Sequence, residues 1–332
     1  MRQYSDPRRD WSDMPTESLV LGGDLGGTST RILVVGTDGR EHGLSTGDGG
    51  NPISRPAGAA AALGDALRRA LARVDPGQVQ ASVIGVAGWS ALRTPVVAAQ
   101  FAEVWADAGL TCDPGYRSDL EVAFAAGTPE PDGTVLVAGT GATAGAVTGH
   151  RLTRTADGHG WLLGDDGSGF WLGREAVRAA LRSLDAGEPQ GRLAGSVLAA
   201  LDAAGTADRG RDRVIQAVYS HPPVQLAALA PLVSAAYHDG DPQARSIVER
   251  AAAALLATVG QVREEGDGTP IVLAGSLTRD TPVGATLRTL LSARFSGPIL
   301  SARTGVGGAA WLALAALDPA LATPATHSRL CR

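Results

Sequence analysis

Twice in this chain an apolar run ends on a glycine-threonine turn and a second apolar run follows. Leu19 to Asp24 leads through Leu25, Gly26, Gly27, Thr28 and Ser29 into Thr30 to Gly36. Gly133 to Ala138 leads through Gly139, Thr140 and Gly141 into Ala144 to Thr148. Self-similarity of this kind implies duplication, and so two lobes built to one plan. Each turn suits an anion. Gly26 and Gly27 let backbone N–H groups close on a phosphate with no Cβ in the way, Thr28, Ser29 and Thr30 offer hydroxyls, and Asp24 points a carboxylate at the turn. The same residues also build an ordinary glycine hairpin, so the turn alone does not decide the function.

No lysine occurs anywhere, and all 29 Lys+Arg residues are arginine. That excludes a Walker A loop, a pyridoxal Schiff base and a protein-kinase strand lysine. Phosphates must be held by backbone amides, hydroxyls, a metal ion or an arginine. Abundant Ala, Gly and Arg also fit GC-rich codons, but the exclusion stands whatever its origin.

At 332 residues the chain has room for two domains of roughly 100 to 200 residues each. Hydrophobic residues make up 44% but aromatics only 4%, so the cores must be built from Ala, Val and Leu. A net charge of −5 and no basic stripe argue against a nucleic-acid or anionic-membrane partner. Apolar runs such as Val83 to Ala87 fall far short of the roughly 20 residues a membrane span needs. Residues 1–17 read as a polar, disordered tail without the apolar stretch of a signal peptide. Cys112 and Cys331 are too few for a disulfide framework and lack metal-ligand spacing. A reducing, cytoplasmic location is expected.

After the first hairpin the pattern reads as a short strand (Glu41 to Ser45), a helix (Pro56 to Arg73), a strand (Ala81 to Ala87), a helix (Pro95 to Ala108), a strand (Tyr116 to Asp119) and a helix (Glu121 to Ala126). Such alternation gives an α/β layered lobe. Pro129 to Asp132 is a joint. The lobes are expected at residues 18–130 and 131–317, the second with an alanine-rich helical insertion over about 167–265, and residues 318–332 as a C-terminal tail. A strand pair, Pro270 to Ala274 and Pro298 to Ser301, encloses a helix over Val283 to Arg294. Gly307 to Ala315 reads as a small-residue helix able to lie flush against other backbone.

Four stretches taken together carry a specific resemblance: Asp24-Leu-Gly-Gly-Thr28, Gly139-Thr140-Gly141, Gly158-His-Gly-Trp-Leu-Leu-Gly-Asp165-Asp-Gly-Ser168-Gly, and Leu273-Ala-Gly275-Ser276. The chain resembles the sugar kinase, hsp70 and actin superfamily, and within it the BadF/BadG/BcrA/BcrD ATPase and N-acetylglucosamine kinase group, over residues 19–316. The third stretch is the most specific, departing from the group's Gly-Asp-Glu-Gly-Ser only at Asp166. The resemblance implies an α/β fold of two ribonuclease H-like (actin-like ATPase) domains with a nucleotide and sugar cleft between them.

It also implies roles. Asp119 would be the catalytic base, accepting the proton of the sugar's 6-hydroxyl, a service worth roughly 10²- to 10⁴-fold; a helix N-cap is the alternative use of an aspartate at that point. The turns at Gly26 to Thr30 and Gly139 to Gly141 would hold the phosphates of ATP, and Gly275 and Ser276 its adenosine. Asp24 would hold Mg²⁺ through water, since Mg²⁺ sheds its hydration reluctantly. Asn51, Gly158, His159, Gly160 and Asp165, with Asp119, would bind the sugar. Glycines around Asp165 allow a ring close to backbone, and Ser168 reads as the N-cap of the next helix. Two departures bear on the sugar: Pro52-Ile53 follows Asn51 where animal N-acetylglucosamine kinases carry aromatic material, and Ala142-Thr143 stands where they carry Ser-Asn.

These features imply an ATP-dependent amino-sugar kinase, with N-acetylglucosamine as the first expected substrate and glucosamine the second, acting as a homodimer with no nucleic acid or membrane partner. A BadF-type activator ATPase, which would need cysteines for an iron–sulfur cluster, is the alternative within the group. A sugar-responsive repressor would need a DNA-binding module ahead of Leu19.

Overall fold

A computed structural model describes residues 18–187, 189–203 and 210–331. The expected tail at 1–17 lies outside them. The chain divides into two compact units, Met1–Val122 with Gly305–Arg332, and Ala123–Thr304.

The first unit opens with β1 (Leu19–Leu25) and β2 (Ser29–Gly36), paired antiparallel from Leu19↔Gly36 to Leu25↔Thr30. β3 (Glu41–Asp48) adds antiparallel to β2. α1 (Ala59–Ala70) crosses to β4 (Val79–Val86), which runs parallel to β1. α2 (Pro95–Asp107) crosses to β5 (Tyr116–Ser118), parallel to β4. The sheet order is β3-β2-β1-β4-β5. α1 starts at Ala59, three residues after the expected Pro56, and buries Ala59, Leu63, Ala66, Leu67 and Ala70 as one apolar stripe. These pack with Leu19, Leu21, Ile32, Phe101 and Trp105 into one core.

The register has a functional consequence: Leu25 is opposite Val86, and Val86 is opposite Ser118. The carboxyl ends of three parallel strands therefore stand side by side, which is where open α/β sheets hold ligands.

α3 (Asp119–Gly127) carries the chain into the second unit. There β6 (Gly133–Ala138), β7 (Ala142–Thr148) and β8 (Arg151–Asp157) form an antiparallel meander. A helical layer follows: α4 (Gly169–Ala186), α5 (Arg192–Ala200), α6 (Gly210–Tyr219), α7 (Ala230–His238) and α8 (Pro242–Gly260). β9 (Ile271–Ala274) pairs parallel to β6, α9 (Pro282–Arg294) crosses over, and β10 (Ile299–Ala302) pairs parallel to β9. The order β10-β9-β6-β7-β8 repeats the first unit strand for strand, as duplication requires. β8 had no counterpart in the sequence reading. Its residues are mostly exposed, leaving no apolar alternation to detect.

The chain then returns to the first unit as α10 (Gly305–Leu317) and α11 (Pro324–Leu330). The division thus falls at 122/123 and 304/305, where lobes at 18–130 and 131–317 were expected. The reason is packing. A Cβ on Gly22 of β1 would overlap the Ala310 backbone nitrogen and stand 2.7 Å from Val306 O, so α10 lies flush on β1, as its small residues foretold. The expected C-terminal tail is instead structured. Thr323 caps α11, and His327 is buried edge-on to Trp311 at 5.4 Å.

Candidate active site

In the first unit Asp24 ends the apolar part of β1, and its Oδ2 accepts a hydrogen bond from Gly305 N at 2.9 Å. The first N–H of α10 thus meets a carboxylate, the favourable sign for a helix dipole. Beyond it the turn closes by Gly26 N donating to Ser29 O at 2.9 Å, with Gly27 and Thr28 exposed and Ser29 half-buried. Gly50 N donates to Gly26 O at 3.0 Å, so the Gly49-Gly50 bend rests on the turn. Thr30 differs from expectation. The alternation of β2 points it inward, fully buried, with its Oγ1 unpartnered. Its hydroxyl is not presented at the turn.

Asp119 opens α3 directly after β5. The capping role falls to its neighbour: Ser118 Oγ accepts from Leu120 N, and Glu121 Oε2 accepts from Ser118 N, both at 3.3 Å. Ser118 and Glu121 thus share the cap, and the Asp119 carboxylate also takes hydrogen bonds from the Leu120 and Asp119 backbone N–H groups. Its Oδ1 also accepts the Ser118 hydroxyl at 3.3 Å. Burial, and then the charge of Asp24, push the Asp119 carboxyl up to about 6. A carboxylate of that basicity can still be ionised near neutrality and yet accept a proton.

Asn51 spends its side-chain carbonyl locally, accepting from Ile53 N at 2.8 Å and Ser54 N at 3.2 Å. This Asx turn leaves the Asn51 amide N–H₂ as donors. Gly88, in the loop after β4, presses on the turn: a Cβ there would stand 2.8 Å from Asn51 Oδ1.

In the second unit Gly139 N donates to Gly141 O at 2.9 Å. The first N–H groups of α4 hold this turn in place, Gly169 N on Gly139 O at 2.7 Å and Phe170 N on Thr140 O at 3.1 Å. Ser168 caps α4 through Trp171 N, as expected.

Asp165 packs onto the same turn. Its Oδ1 accepts from Ala142 N at 3.0 Å, and a Cβ on Gly141 would stand 2.9 Å from both carboxylate oxygens. Burial raises its pKa, against the opposing Ala142 N–H. Asp165 therefore shapes the Gly139 to Gly141 turn, with one oxygen committed there. Asp157, which the sequence did not single out, clamps the loop: its Oδ1 accepts from Asp165 N at 2.7 Å and its Oδ2 from Asp166 N at 3.1 Å. Asp157 and Asp165 have φ of 61° and 58°, a left-handed conformation that non-glycine residues adopt only when their surroundings hold them there. Gly158 and His159 are exposed and Gly160 half-buried along this loop.

Gly275, with φ of 93° and no room for a Cβ against the Ala138 carbonyl, brings Ser276 beside Gly139. A cavity of about 330 Å³ opens here, lined by Gly139, Thr140, Gly169, Ser276, Leu277 and Thr281 and closed by Ala227, Ala230, Pro231 and Ser234. Two expected nucleotide segments thus share one cavity within one unit. Its far wall was illegible in an alanine-rich stretch with no chemical signature.

Among the described residues no three His, Cys, Asp or Glu side chains gather into a cation cage, and no helix is long and apolar enough to cross a membrane.

Residues 21–313 match the BadF/BadG/BcrA/BcrD ATPase family. The chain belongs to that family. It is 30% identical over 149 residues to an N-acetylmuramic acid/N-acetylglucosamine kinase of Clostridium acetobutylicum, a match covering 44% of this chain and 47% of that protein. The chain thus spans about half the length of that relative. A Chromobacterium violaceum structure provisionally assigned as an N-acetylglucosamine kinase superposes with a TM-score of 0.71 at 23% identity, covering 90% of this chain and 100% of the other. A ROK family glucokinase of Streptomyces griseus, solved with glucose and AMPPNP, superposes at 0.55 with 21% identity, over 89% and 99%. These likenesses establish the fold, two actin-like α/β domains.

Proposed function

We propose that this protein is an ATP-dependent sugar kinase that transfers the γ-phosphoryl group to the 6-hydroxyl of an amino sugar, N-acetylglucosamine first. The observation that carries the reading is the Asp119 carboxylate, made more basic by burial and by the charge of Asp24 beside it, at the carboxyl ends of β1, β4 and β5. The family membership and the kinase relative support it.

In this reading the Asp119 carboxylate accepts the 6-hydroxyl proton as the sugar oxygen bonds to the γ-phosphorus, and the bond from that phosphorus to the β,γ-bridging oxygen breaks to release ADP. Mg²⁺ would neutralise phosphate charge, with Asp24 holding it through water; a single carboxylate suits an ion that keeps most of its hydration. The amides of Gly26, Gly27 and Gly139 and the hydroxyls of Thr28 and Thr140 take the phosphate charge that a lysine takes elsewhere. The cavity beside Ser276 takes the nucleoside, and Asn51 donates its amide hydrogens to sugar oxygens. Asp165 supports the Gly139 turn and has one oxygen left for sugar or loop. The reading requires both sets of groups to act on one ternary complex, with the protein working as a soluble homodimer.

Glucosamine is the second substrate within the same chemistry. A BadF-type activator role, which needs cysteines for an iron–sulfur cluster, is disfavoured because the chain has two cysteines, Cys112 and Cys331, each half-buried and, among the described residues, in no cluster of potential ligands.

The test is to incubate the protein with Mg-ATP and, in turn, N-acetylglucosamine, glucosamine, N-acetylmannosamine, N-acetylmuramic acid and glucose, and to locate the phosphate by carbon–phosphorus coupling in the product. Phosphate on C6 of N-acetylglucosamine is expected. Transfer to another position, or to none of the sugars, refutes the assignment.

A further inference from the structure

A cavity of about 900 Å³ lies in the first unit, at a place that no step above uses. It opens between α1 and β3, the edge strand of the sheet. One wall is a single stripe of α1, Ala61, Ala62, Asp65 and Arg69, spaced by three and four as residues on one helix face are. The floor is the end of β3 at Gly47, and residues 54–58 close one end.

Two guanidiniums in this cavity have almost nothing to bind. Arg69 is exposed and, among the described residues, makes no hydrogen bond or ion pair. Its place is defined all the same. A Cβ on Gly47 would stand 2.5 Å from Arg69 Nη2, so the guanidinium lies over bare strand backbone, in space that a side chain at position 47 would fill. Arg55 makes one long bond, Nη1 to Gly49 O at 3.4 Å. Neither arginine is neutralised by the carboxylates nearby: Asp65 is paired with Arg68, and strand alternation puts Asp48 on the opposite face of β3 from Gly47.

Two free guanidiniums match one dianion. A phosphate monoester carries about −1.5 to −2 charges at neutral pH, and the planar fork of an arginine suits phosphate oxygens. The cavity has room for more than a phosphate, since small-molecule pockets run from about 300 to 1,000 Å³. Its remaining surface is the Ser54 hydroxyl, Pro56 and alanines, with no aromatic ring. A nucleoside base gains most from a ring to stack on, whereas a sugar needs hydroxyl partners and small apolar patches. This lining suits a sugar phosphate better than a nucleotide.

Arg55 ties the cavity to the turn expected to hold the ATP phosphates. Its acceptor, Gly49 O, belongs to the bend whose Gly50 N donates to Gly26 O at 3.0 Å, and a Cβ on Gly49 would overlap Gly27 O. Arg55 N also donates to Asn51 O at 2.9 Å. A phosphate that recruits the Arg55 guanidinium takes it from Gly49 O and loosens the bend beneath Gly26 and Gly27.

We propose that the cavity between β3 and α1 is a regulatory site for a sugar phosphate, held by Arg69 and Arg55, whose occupation weakens Mg-ATP binding at the Gly26-Gly27 turn. The binding itself is independent of the sugar-kinase reading. Its effect on ATP rests on that reading, under which the ligand belongs to the class of molecule the reaction makes. One hydrogen bond lost at the bend is worth about two- to tenfold in affinity, which sets the size of the effect.

The test is calorimetric titration of the full chain with N-acetylglucosamine 6-phosphate, inorganic phosphate and AMP, in excess N-acetylglucosamine to keep the catalytic sugar site filled. The parent should bind the sugar phosphate, and AMP and inorganic phosphate more weakly. Arg69→Ala removes one guanidinium and Gly47→Ala displaces it; each should weaken the sugar phosphate by at least about tenfold, with parent-like melting. In initial rates at saturating sugar, added sugar phosphate should raise the parent KM for Mg-ATP about two- to tenfold, and the rise should be absent in Arg69→Ala. Equal affinity in the parent and Arg69→Ala, no binding to the parent, or AMP bound as tightly as the sugar phosphate overturns the inference, whatever the kinase assay gives. A parent that binds the sugar phosphate through Arg69 but phosphorylates no sugar leaves the site standing and overturns the kinase reading instead.

Discussion

Removing the proposed base should make the protein more stable and less active at once. Burial and the neighbouring Asp24 hold the Asp119 carboxyl at about 6 in the folded protein, against about 3.9 for an ordinary aspartate. A gap near two units corresponds to just under 3 kcal/mol at about 1.4 kcal/mol per unit, and partial solvent exposure trims the usable part to about 2 kcal/mol. The sign follows from proton counting. Between pH 4 and pH 6 the unfolded chain has released the proton while the folded protein keeps it. Stability therefore falls as pH rises through that window and stays lower above it. Asp119→Asn removes the penalty and keeps an oxygen for the Ser118 hydroxyl. At pH 8 the variant should melt about 4 to 8 °C above the parent, and below pH 4 the two should coincide. Turnover should meanwhile drop by roughly 10²- to 10⁴-fold with nucleotide and sugar affinities kept. The parent kcat/KM for sugar, at saturating Mg-ATP, should fall from pH 7 to pH 5, where an ordinary aspartate would lose almost nothing, and by less than about tenfold because Mg²⁺ held near Asp24 offsets that carboxylate's charge. Thermal melts at the two pH values and initial rates test all of this. A variant no more stable than the parent at pH 8, or one that retains its rate, refutes the reasoning.

Three other substitutions probe the frame around the site. Ala227→Phe fills the 330 Å³ cavity beside Gly139 and Ser276; the KM for ATP should rise at least about tenfold with sugar binding unchanged by calorimetry. Asp157→Ala strips the acceptor from the Asp165 and Asp166 N–H groups; it should cost about 2 kcal/mol by denaturant unfolding and speed proteolysis within residues 158–167. Gly22→Ala drives a Cβ into the Ala310 backbone of α10; a loss of about 3 kcal/mol or more, or failure to fold, is expected, and a near-normal melt would contradict the close packing.

What was legible in the sequence is what local chemistry writes into it. The two glycine-threonine turns announced the duplicated sheet plan because β1, β2, β6 and β7 are apolar runs interrupted only by the turns. The flush packing of α10 was readable from its Gly and Ala content. Its assignment to the first unit was not, since that depends on the matching gap at Gly22, almost 300 residues away in sequence. β8 stayed hidden because a polar edge strand carries no alternation. Asp119 could be singled out only by resemblance, since a capping aspartate looks the same in sequence; its burial beside Asp24, with Ser118 and Glu121 sharing the cap, is visible only in the fold. Thr30 was misplaced by one step of strand alternation, and Asp157 was missed because a clamp on backbone N–H groups reads as a turn. The wall of the nucleotide cavity, Ala227 to Ser234, is alanine, proline and serine brought in by tertiary packing.

The rate of ADP release from Mg-ATP, measured with and without N-acetylglucosamine, tests the central claim most directly. A kinase of this design should release ADP only when the sugar is present, one molecule for each sugar phosphate formed. ATP consumption at the same rate without sugar, or none with it, would contradict the account.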